Sequence, residues 1–247
     1  VRAEAFIIHL ARASGRAPQV ERLKAGLPLP ATVVDAVDAQ SLGEHERAMV
    51  YRPQLHRPHY PFPLRDTEIA CFLSHRKAWR MIIERDLDAG LVVEDDVQLE
   101  PVFGAVFSLA LSNMLRADVV RFPKQSGRER GPAVIGEGGI RLIAPAFPGL
   151  GMQAQLVSRA AAERLLAVTE HFDRPVDTTI QMHWLHGLRM LSAVPSGIRE
   201  VDDELGGSTI QKKGTDLAER LGREFRRARY RLSARALGAR KPRPGTS

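Results

Sequence analysis

The segment Leu91-Val92-Val93 runs without a polar break straight into Glu94-Asp95-Asp96. A short apolar run of this kind reads as a buried strand, so the chain has to deliver three adjacent carboxylates to the rim of a core. Like charges that close raise one another's pKa. A bound divalent cation relieves the crowding, and an all-oxygen ligand set suits Mg²⁺ or Mn²⁺. The plainer alternative is a solvated acidic turn. The strand before the triplet and Val97-x-Leu99 after it favour a site at a sheet edge.

The flanking sequence alternates between two periodicities. Phe6-Ile7-Ile8-His9-Leu10 reads as a first strand, residues 17–25 as a helix stopped by Gly26 and Pro28, and residues 31–37 as a β-branched second strand. Residues 52–63 hold Pro53, Pro58, Pro61 and Pro63 and form a shaped loop. Asp66 or Thr67 is placed to cap a long helix with Ile69, Phe72, Trp79 and Ile82 on its apolar side. Pro101 suits the first turn of a helix reaching about residue 115. Residues 119–122 form a strand, 123–139 are expected to be mobile, and 155–157 form a strand whose Ser158 caps a helix over 159–168. A helix opened by Asp177 and a last strand over 190–194 complete the body. Strands alternating with helices predict an α/β layered sheet, with ligands outside the carboxyl ends of its strands.

Charge is divided along the chain. From Lys212 onward there are 12 Lys and Arg against 3 Asp and Glu, within a total net charge of +7, so residues 1–211 are slightly acidic. The strong basicity belongs to a tail, and a broad nucleic-acid surface is not expected. In that tail Leu217, Leu221, Phe225, Ala228 and Leu232 recur at three- and four-residue steps among arginines. This is the pattern of a basic amphipathic helix that lies on an anionic membrane, its rival being a solvated helix packed on the body. The division is therefore a catalytic-type body over 1–211 and a basic tail over 212–247. The opening residues lack the apolar stretch of a signal peptide, and no segment reaches the length of a membrane span. With the single Cys71 giving no sign of an oxidising compartment, the expected location is the cytoplasm or the cytoplasmic face of the inner membrane.

Several motifs sit in the order and spacing of a known family. Glu68-x-Ala70-Cys71-x-x-Ser74-His75, then Ala78-Trp79, then the strand ending in Glu94-Asp95-Asp96 resemble glycosyltransferase family 25. These are the lipopolysaccharide and lipooligosaccharide glycosyltransferases related to the collagen galactosyltransferases. Ile8-His9-Leu10-Ala11-Arg12 with Arg16, Ala36-Val37-Asp38, residues 151–166, Pro175-Val176-Asp177, Pro195-Ser196 and Ser208-Thr209-Ile210 extend the likeness across the body. One departure is His9, where the family usually has asparagine. The resemblance implies a Rossmann-type GT-A fold in a single α/β domain with a mostly parallel sheet, followed here by the basic C-terminal helix. It also implies a UDP-sugar donor, often UDP-galactose, and transfer with inversion to a hydroxyl of a lipopolysaccharide or other surface glycan.

Under that resemblance Asp96 is the direct ligand of Mn²⁺ or Mg²⁺, and Glu94 and Asp95 bind donor hydroxyls. Arg12 and Arg16, just after the first strand, suit an anionic donor. Ser74 and His75 are donor contacts or structural residues. Asp177 is the candidate base for the attacking hydroxyl, with helix capping as its competing role and Glu200, Asp202 and Asp203 as alternatives. Cys71 reads as core filling. His183 and His186 lack the glutamate of a zinc-protease pair and read as helix surface. Gly149-x-Gly151 is too short for a dinucleotide fingerprint, and no P-loop is present. Two rivals remain: a metal-dependent phosphohydrolase built on the same triplet, and a non-catalytic module recruited to membrane or RNA by its tail.

Overall fold

The computed structural model describes residues 1–114, 118–201 and 217–238. An eight-stranded sheet forms the middle layer, in the order β2-β1-β3-β8-β5-β9-β7-β6. Its strands are β1 (Ala3–His9), β2 (Ala31–Asp35), β3 (Ala89–Glu94), β5 (Val119–Arg121), β6 (Ala133–Glu137), β7 (Ile140–Ile143), β8 (Ala154–Ser158) and β9 (Met190–Val194). Six of the eight run the same way; β7 and β8 oppose them. The expected α/β architecture with a mostly parallel sheet is therefore observed. A separate two-stranded ribbon pairs β4 (Val97–Leu99) with β10 (Ile198–Glu200).

Strand alternation divides the core into two. On one face Ala5, Ile7, Leu91, Val93 and Leu156 meet α1 (Ala17–Gly26) and α4 (Phe103–Ser112). On the other, Phe6, Ile8, Val92, Val119 and Val157 meet α3 (Asp66–Glu84), α5 (Arg159–Val168) and α6 (Val176–Ile180). Gly90 permits the close seating of α3, because a Cβ there would lie 2.5 Å from Ile82 Cγ1. Short helices α2 (Glu44–Val50) and α7 (His183–His186) and the long α8 (Leu217–Gly238) complete the described structure. None of its helices is long and apolar enough to cross a membrane.

Several boundaries differ from those expected. The cap of α3 is Arg65, not Asp66 or Thr67: Asp66 is the first helical residue, and the Glu68 carboxylate reaches back to the Arg65 amide at 2.8 Å. Ser158 does cap α5, its hydroxyl accepting from the Ala161 amide at 3.1 Å. Residues 123–139, expected to be mobile, contain a 3-10 turn at Ser126–Arg128 and the strand β6. β6 is ordered by pairing with β7 across Gly138 and Gly139, both at positive φ, the backbone state that a tight hairpin turn demands. Ser208, Thr209, Ile210, Asp202 and Asp203 lie outside the described residues, as do the side chains of Leu217 and Leu221.

Candidate active site

Parallel pairing of β1 with both β2 and β3 brings their carboxyl ends together: Ile8 is opposite Glu94 and His9 is opposite Asp35. Chain leaves β1 toward α1 and leaves β3 toward β4, so a crevice opens between them, as expected where connections diverge. That crevice is lined by Arg12, Arg16, Ser74, His75, Glu94, Asp95 and Asp96, with Thr67 and Cys71. Of the sequence candidates within the described residues, only Asp177 and Glu200 fall outside this wall.

The three carboxylates are held differently. Glu94 Oε1 accepts from His75 Nε2 at 3.0 Å, while Gln155 Nε2 approaches His75 Nδ1 at 3.4 Å. His75 itself is fully buried, and its ring holds the Glu94 carboxylate at the crevice wall. Asp95 is buried with both oxygens engaged, Oδ1 by Arg16 at 2.7 Å and Oδ2 by His9 Nδ1 at 2.7 Å. It ties Arg16 and His9 together at the crevice wall.

Asp96 has no such support. Its Oδ1 is buried without a hydrogen-bond partner, and burial together with Glu94, Asp95 and Glu200 pushes its carboxyl up to about 8, against a smaller opposing pull from Arg16. A buried, unsatisfied carboxylate oxygen facing further carboxylates is costly unless something cationic completes it. A hard divalent ion with oxygen ligands fits that donor set. Cys71, His75 and Glu94 also offer ligand atoms within 4.8 Å of one another. There, however, burial and the surrounding carboxylates, Glu94 foremost, push the Cys71 thiol well above its usual range. That cluster offers a soft sulfur and a ring nitrogen, whereas Mg²⁺ and Mn²⁺ take oxygen ligands, so for a hard divalent ion the oxygen site at Asp96 fits better. Thr67 Oγ1, another wall of the crevice, is also buried and unpartnered.

The other candidates are placed as follows. Arg12 is exposed and pairs with Asp38 at 2.6 Å. Ser74 is spent on the fold: its hydroxyl donates to the Ala70 carbonyl at 2.7 Å and accepts from the Val37 amide at 2.9 Å, tying α3 to the end of β2. Glu200 belongs to the ribbon strand β10 and is gripped by Lys124 at 2.5 Å and Gln153 at 3.1 Å. Asp177 is not a helix cap, because Pro175 occupies that position in α6. Its carboxylate instead accepts from the Gly151 amide and the Thr178 hydroxyl, each at 3.1 Å. His183 and His186 are not simple surface residues: His186 is buried between the Ile180 carbonyl and the Leu188 amide, and His183 bonds the Gly238 carbonyl.

A second cavity of about 460 Å³ adjoins the crevice, sharing Glu94 and Cys71 with it and carrying Asp177. Its outer wall was not anticipated. Tyr60 and Phe62 come from the proline loop, and Arg227, Tyr230 and Arg231 come from α8. Arg174, fully buried, joins these two parts by donating to Asp173 at 2.7 and 3.0 Å, to the Tyr230 hydroxyl at 2.8 Å, and to the His56 and Pro58 carbonyls at 2.8 and 3.1 Å. The only sequence hint was the Asp173-Arg174 pair immediately before the Pro-x-Asp motif.

Residues 2–127, half the chain, match the model of glycosyltransferase family 25 (LPS biosynthesis protein). The chain belongs to glycosyltransferase family 25. Human procollagen galactosyltransferase 2 is 31% identical over 119 residues, 47% of this chain and 19% of the relative. A glycosyltransferase 25 family member of Drosophila melanogaster is 32% identical over 136 residues, 52% of this chain and 22% of the relative. A rat protein named probable inactive glycosyltransferase 25 family member 3 is 28% identical over 211 residues, covering 78% of this chain and 37% of its own. This family 25 chain thus spans from about a fifth to rather more than a third of the curated relatives it matches. Among solved structures, A197 from STIV aligns with a TM-score of 0.39 and 16% identity over 88% of this chain and 100% of its own.

Proposed function

We propose that this family 25 chain is a metal-dependent, inverting glycosyltransferase that moves a hexose, galactose foremost, from a UDP-sugar to a hydroxyl of a surface glycan such as lipopolysaccharide. Family membership alone does not decide activity, since one relative is named probable inactive. The observation that carries the reading is the buried, unpartnered Oδ1 of Asp96 at the end of a crevice that also holds two arginines and two further carboxylates.

In this reading the donor lies in the crevice, with its diphosphate near Arg16 and Asp96 and its hydroxyls near Glu94. A divalent cation held by Asp96, Mn²⁺ or Mg²⁺, supplies charge neutralisation for the departing diphosphate when bound. His75 and Gln155 fix the orientation of Glu94; His9 and Arg16 fix Asp95. The acceptor enters the second cavity, where Asp177 and Glu94 line the same space. Its hydroxyl oxygen bonds to the anomeric carbon as the bond from that carbon to the UDP oxygen breaks. Asp177 takes the hydroxyl proton, its own geometry set by the Gly151 amide. Gly151 is at φ +102°, a backbone state for which glycine is the ordinary residue.

The outer face of α8 supports a further part of the reading, contact with an anionic membrane where a lipid-linked acceptor would be found. Phe225 and Leu232 are 69% and 67% exposed, flanked by arginines, while the opposite face packs on the body through Tyr230 and Ala234.

Titration calorimetry of the whole chain with UDP-galactose and other UDP-sugars, with and without Mn²⁺, tests the central claim. Metal-dependent binding in the wild type and its loss in Asp96→Asn are expected; binding retained in that variant overturns the assignment. Complete cleavage of the donor without any acceptor would replace transfer by phosphohydrolysis.

A further inference from the structure

The acceptor cavity does not end at α8. It continues into a groove of about 1050 Å³ with which it shares Leu150, Gln181 and Arg231. The groove has a distinct character. Its walls bring Lys124, Arg128 and Arg130 from the segment after β5 against Arg231 and Arg235 from α8. Its one carboxylate among the described residues, Glu129, is buried and turned inward, 3.7 Å from Arg121 and 3.2 Å from the Ser192 hydroxyl.

Most of these cations are not neutralised. Lys124 is paired with Glu200 at 2.5 Å. Arg130 donates only to the backbone carbonyls of Gly127 and Glu129, at 2.6 and 2.9 Å. The Arg235 guanidinium lies 5.8 Å from the centre of the Phe147 ring. Arg128 and Arg231 have no carboxylate within ion-pair distance among the described residues. Four arginines thus face one groove without a carboxylate partner among the described residues, on a body whose residues up to 211 are slightly acidic overall. Guanidinium groups gathered in this way suit phosphate or carboxylate, which they can bind through two parallel hydrogen bonds. Between them the floor is apolar, made by Pro145, Phe147 and Pro148, and flat apolar surface receives the faces of sugar rings.

We propose that the acceptor is an anionic glycan: its accepting hydroxyl sits at Asp177, its terminal ring lies against Tyr60 and Phe62, and a phosphate or carboxylate farther along the chain is held by Arg128, Arg130, Arg231 and Arg235. This rests on the second cavity being the acceptor site. It also gives the tail helix a role in choosing the substrate, separate from membrane contact, because Arg231 belongs to both cavity and groove.

The test uses the full chain and three saccharide probes of matched length: a neutral galactose trisaccharide, a galacturonic acid trisaccharide and a trisaccharide bearing a sugar 6-phosphate. Binding is read by ligand-observed NMR titration, with Mn²⁺-dependent UDP-galactose binding measured in parallel. At least one charged probe should bind about ten-fold or more tighter than the neutral one, and the stronger of the two identifies the anion. The Arg128→Gln, Arg231→Gln double variant should lose that ten-fold advantage while keeping wild-type binding of the donor. Both positions are exposed, so the fold should tolerate the change. Equal binding of neutral and charged probes, or an undiminished preference in the variant, overturns the proposal. So does a short duplex DNA binding more tightly than every saccharide, which would show a response to charge density alone. Failure of donor binding in the wild type would count against the proposed transfer reaction, whereas the saccharide titrations report on the groove independently.

Discussion

Replacing Arg174 by methionine should destabilise the protein by about 3–5 kcal/mol, the usual cost of removing one partner from a buried ion pair. The reasoning is local. Arg174 and Asp173 have no exposed side-chain surface, so the Asp173 charge left behind cannot be rescued by water. It would keep a single donor, the His56 amide at 2.9 Å, and the Tyr230 hydroxyl and the His56 and Pro58 carbonyls would each lose a bond. Against a typical total of about 5–15 kcal/mol for a folded domain, this is a large fraction. Urea unfolding at pH 7, followed by tryptophan fluorescence, measures it. The double variant Arg174→Met, Asp173→Asn should recover at least half of the loss, because the unpaired charge is gone. Trypsin should cut α8 faster in the single variant, since Tyr230 loses its anchor, while metal-dependent UDP-galactose binding of the folded fraction stays unchanged. A loss below about 1 kcal/mol, or no recovery in the double variant, would refute the claim that a buried charge pair fastens the tail helix and the proline loop.

Acid sensitivity should come in part from His186, whose imidazole burial pushes down to about 4 from the usual 6.5. Between those values the unfolded chain binds a proton that the folded one refuses, so stability falls as pH drops and is lower by about 2 kcal/mol at pH 5 than at pH 7; urea midpoints that change no less with pH in His186→Gln would assign the effect elsewhere. On the outer face of α8, Phe225→Ser with Leu232→Ser should leave the unfolding midpoint within error, because both side chains are exposed, and should weaken sedimentation with anionic phosphatidylglycerol vesicles about ten-fold or more. Unchanged sedimentation would remove the membrane reading.

What could be read in the sequence was what local pattern decides. The β3 run into its carboxylates, the apolar stripe of α3 and the Ser158 cap each announce themselves within a few residues. Elements without such a pattern escaped. Helix α2 buries none of its residues, so it carries no apolar stripe to detect. β4 and β10 are three residues each, too short to show alternation. The strand β6 is mostly exposed and was visible only through the glycine pair that turns it. Site residues were easier to nominate than to assign. Motif and spacing place Ser74, His75 and Asp95 at the crevice, but whether a polar group faces a ligand or a neighbouring element depends on partners distant in sequence. Ser74 meets Val37, His75 meets Glu94 and Asp95 meets His9, the last 86 positions away. The second cavity was hidden for the same reason, since its wall joins residues 60–62 to residues 227–231.

The alternation of β3 explains why three neighbouring carboxylates end in three different states. Val92 points to the α3 face and Leu91 and Val93 to the α1 face. Continuing the period, Glu94 falls on the α3 side, where His75 waits, and Asp95 falls on the α1 side, beside Arg16 at the start of that helix. Asp96 lies one residue past Asp95 in the turn before β4, faces Glu200 of the paired ribbon, and finds no donor for its Oδ1. Two anions are thus secured by the fold on opposite faces of the sheet, and their charge is kept in place to burden the third. That arrangement disfavours an empty, ionised Asp96, a burden that either a proton or a cation relieves; under the proposed function it is the cation, which is why the last carboxylate of the triplet, and neither of the first two, is the position at which a neutral substitution should cost metal-dependent binding without disturbing the packing around it.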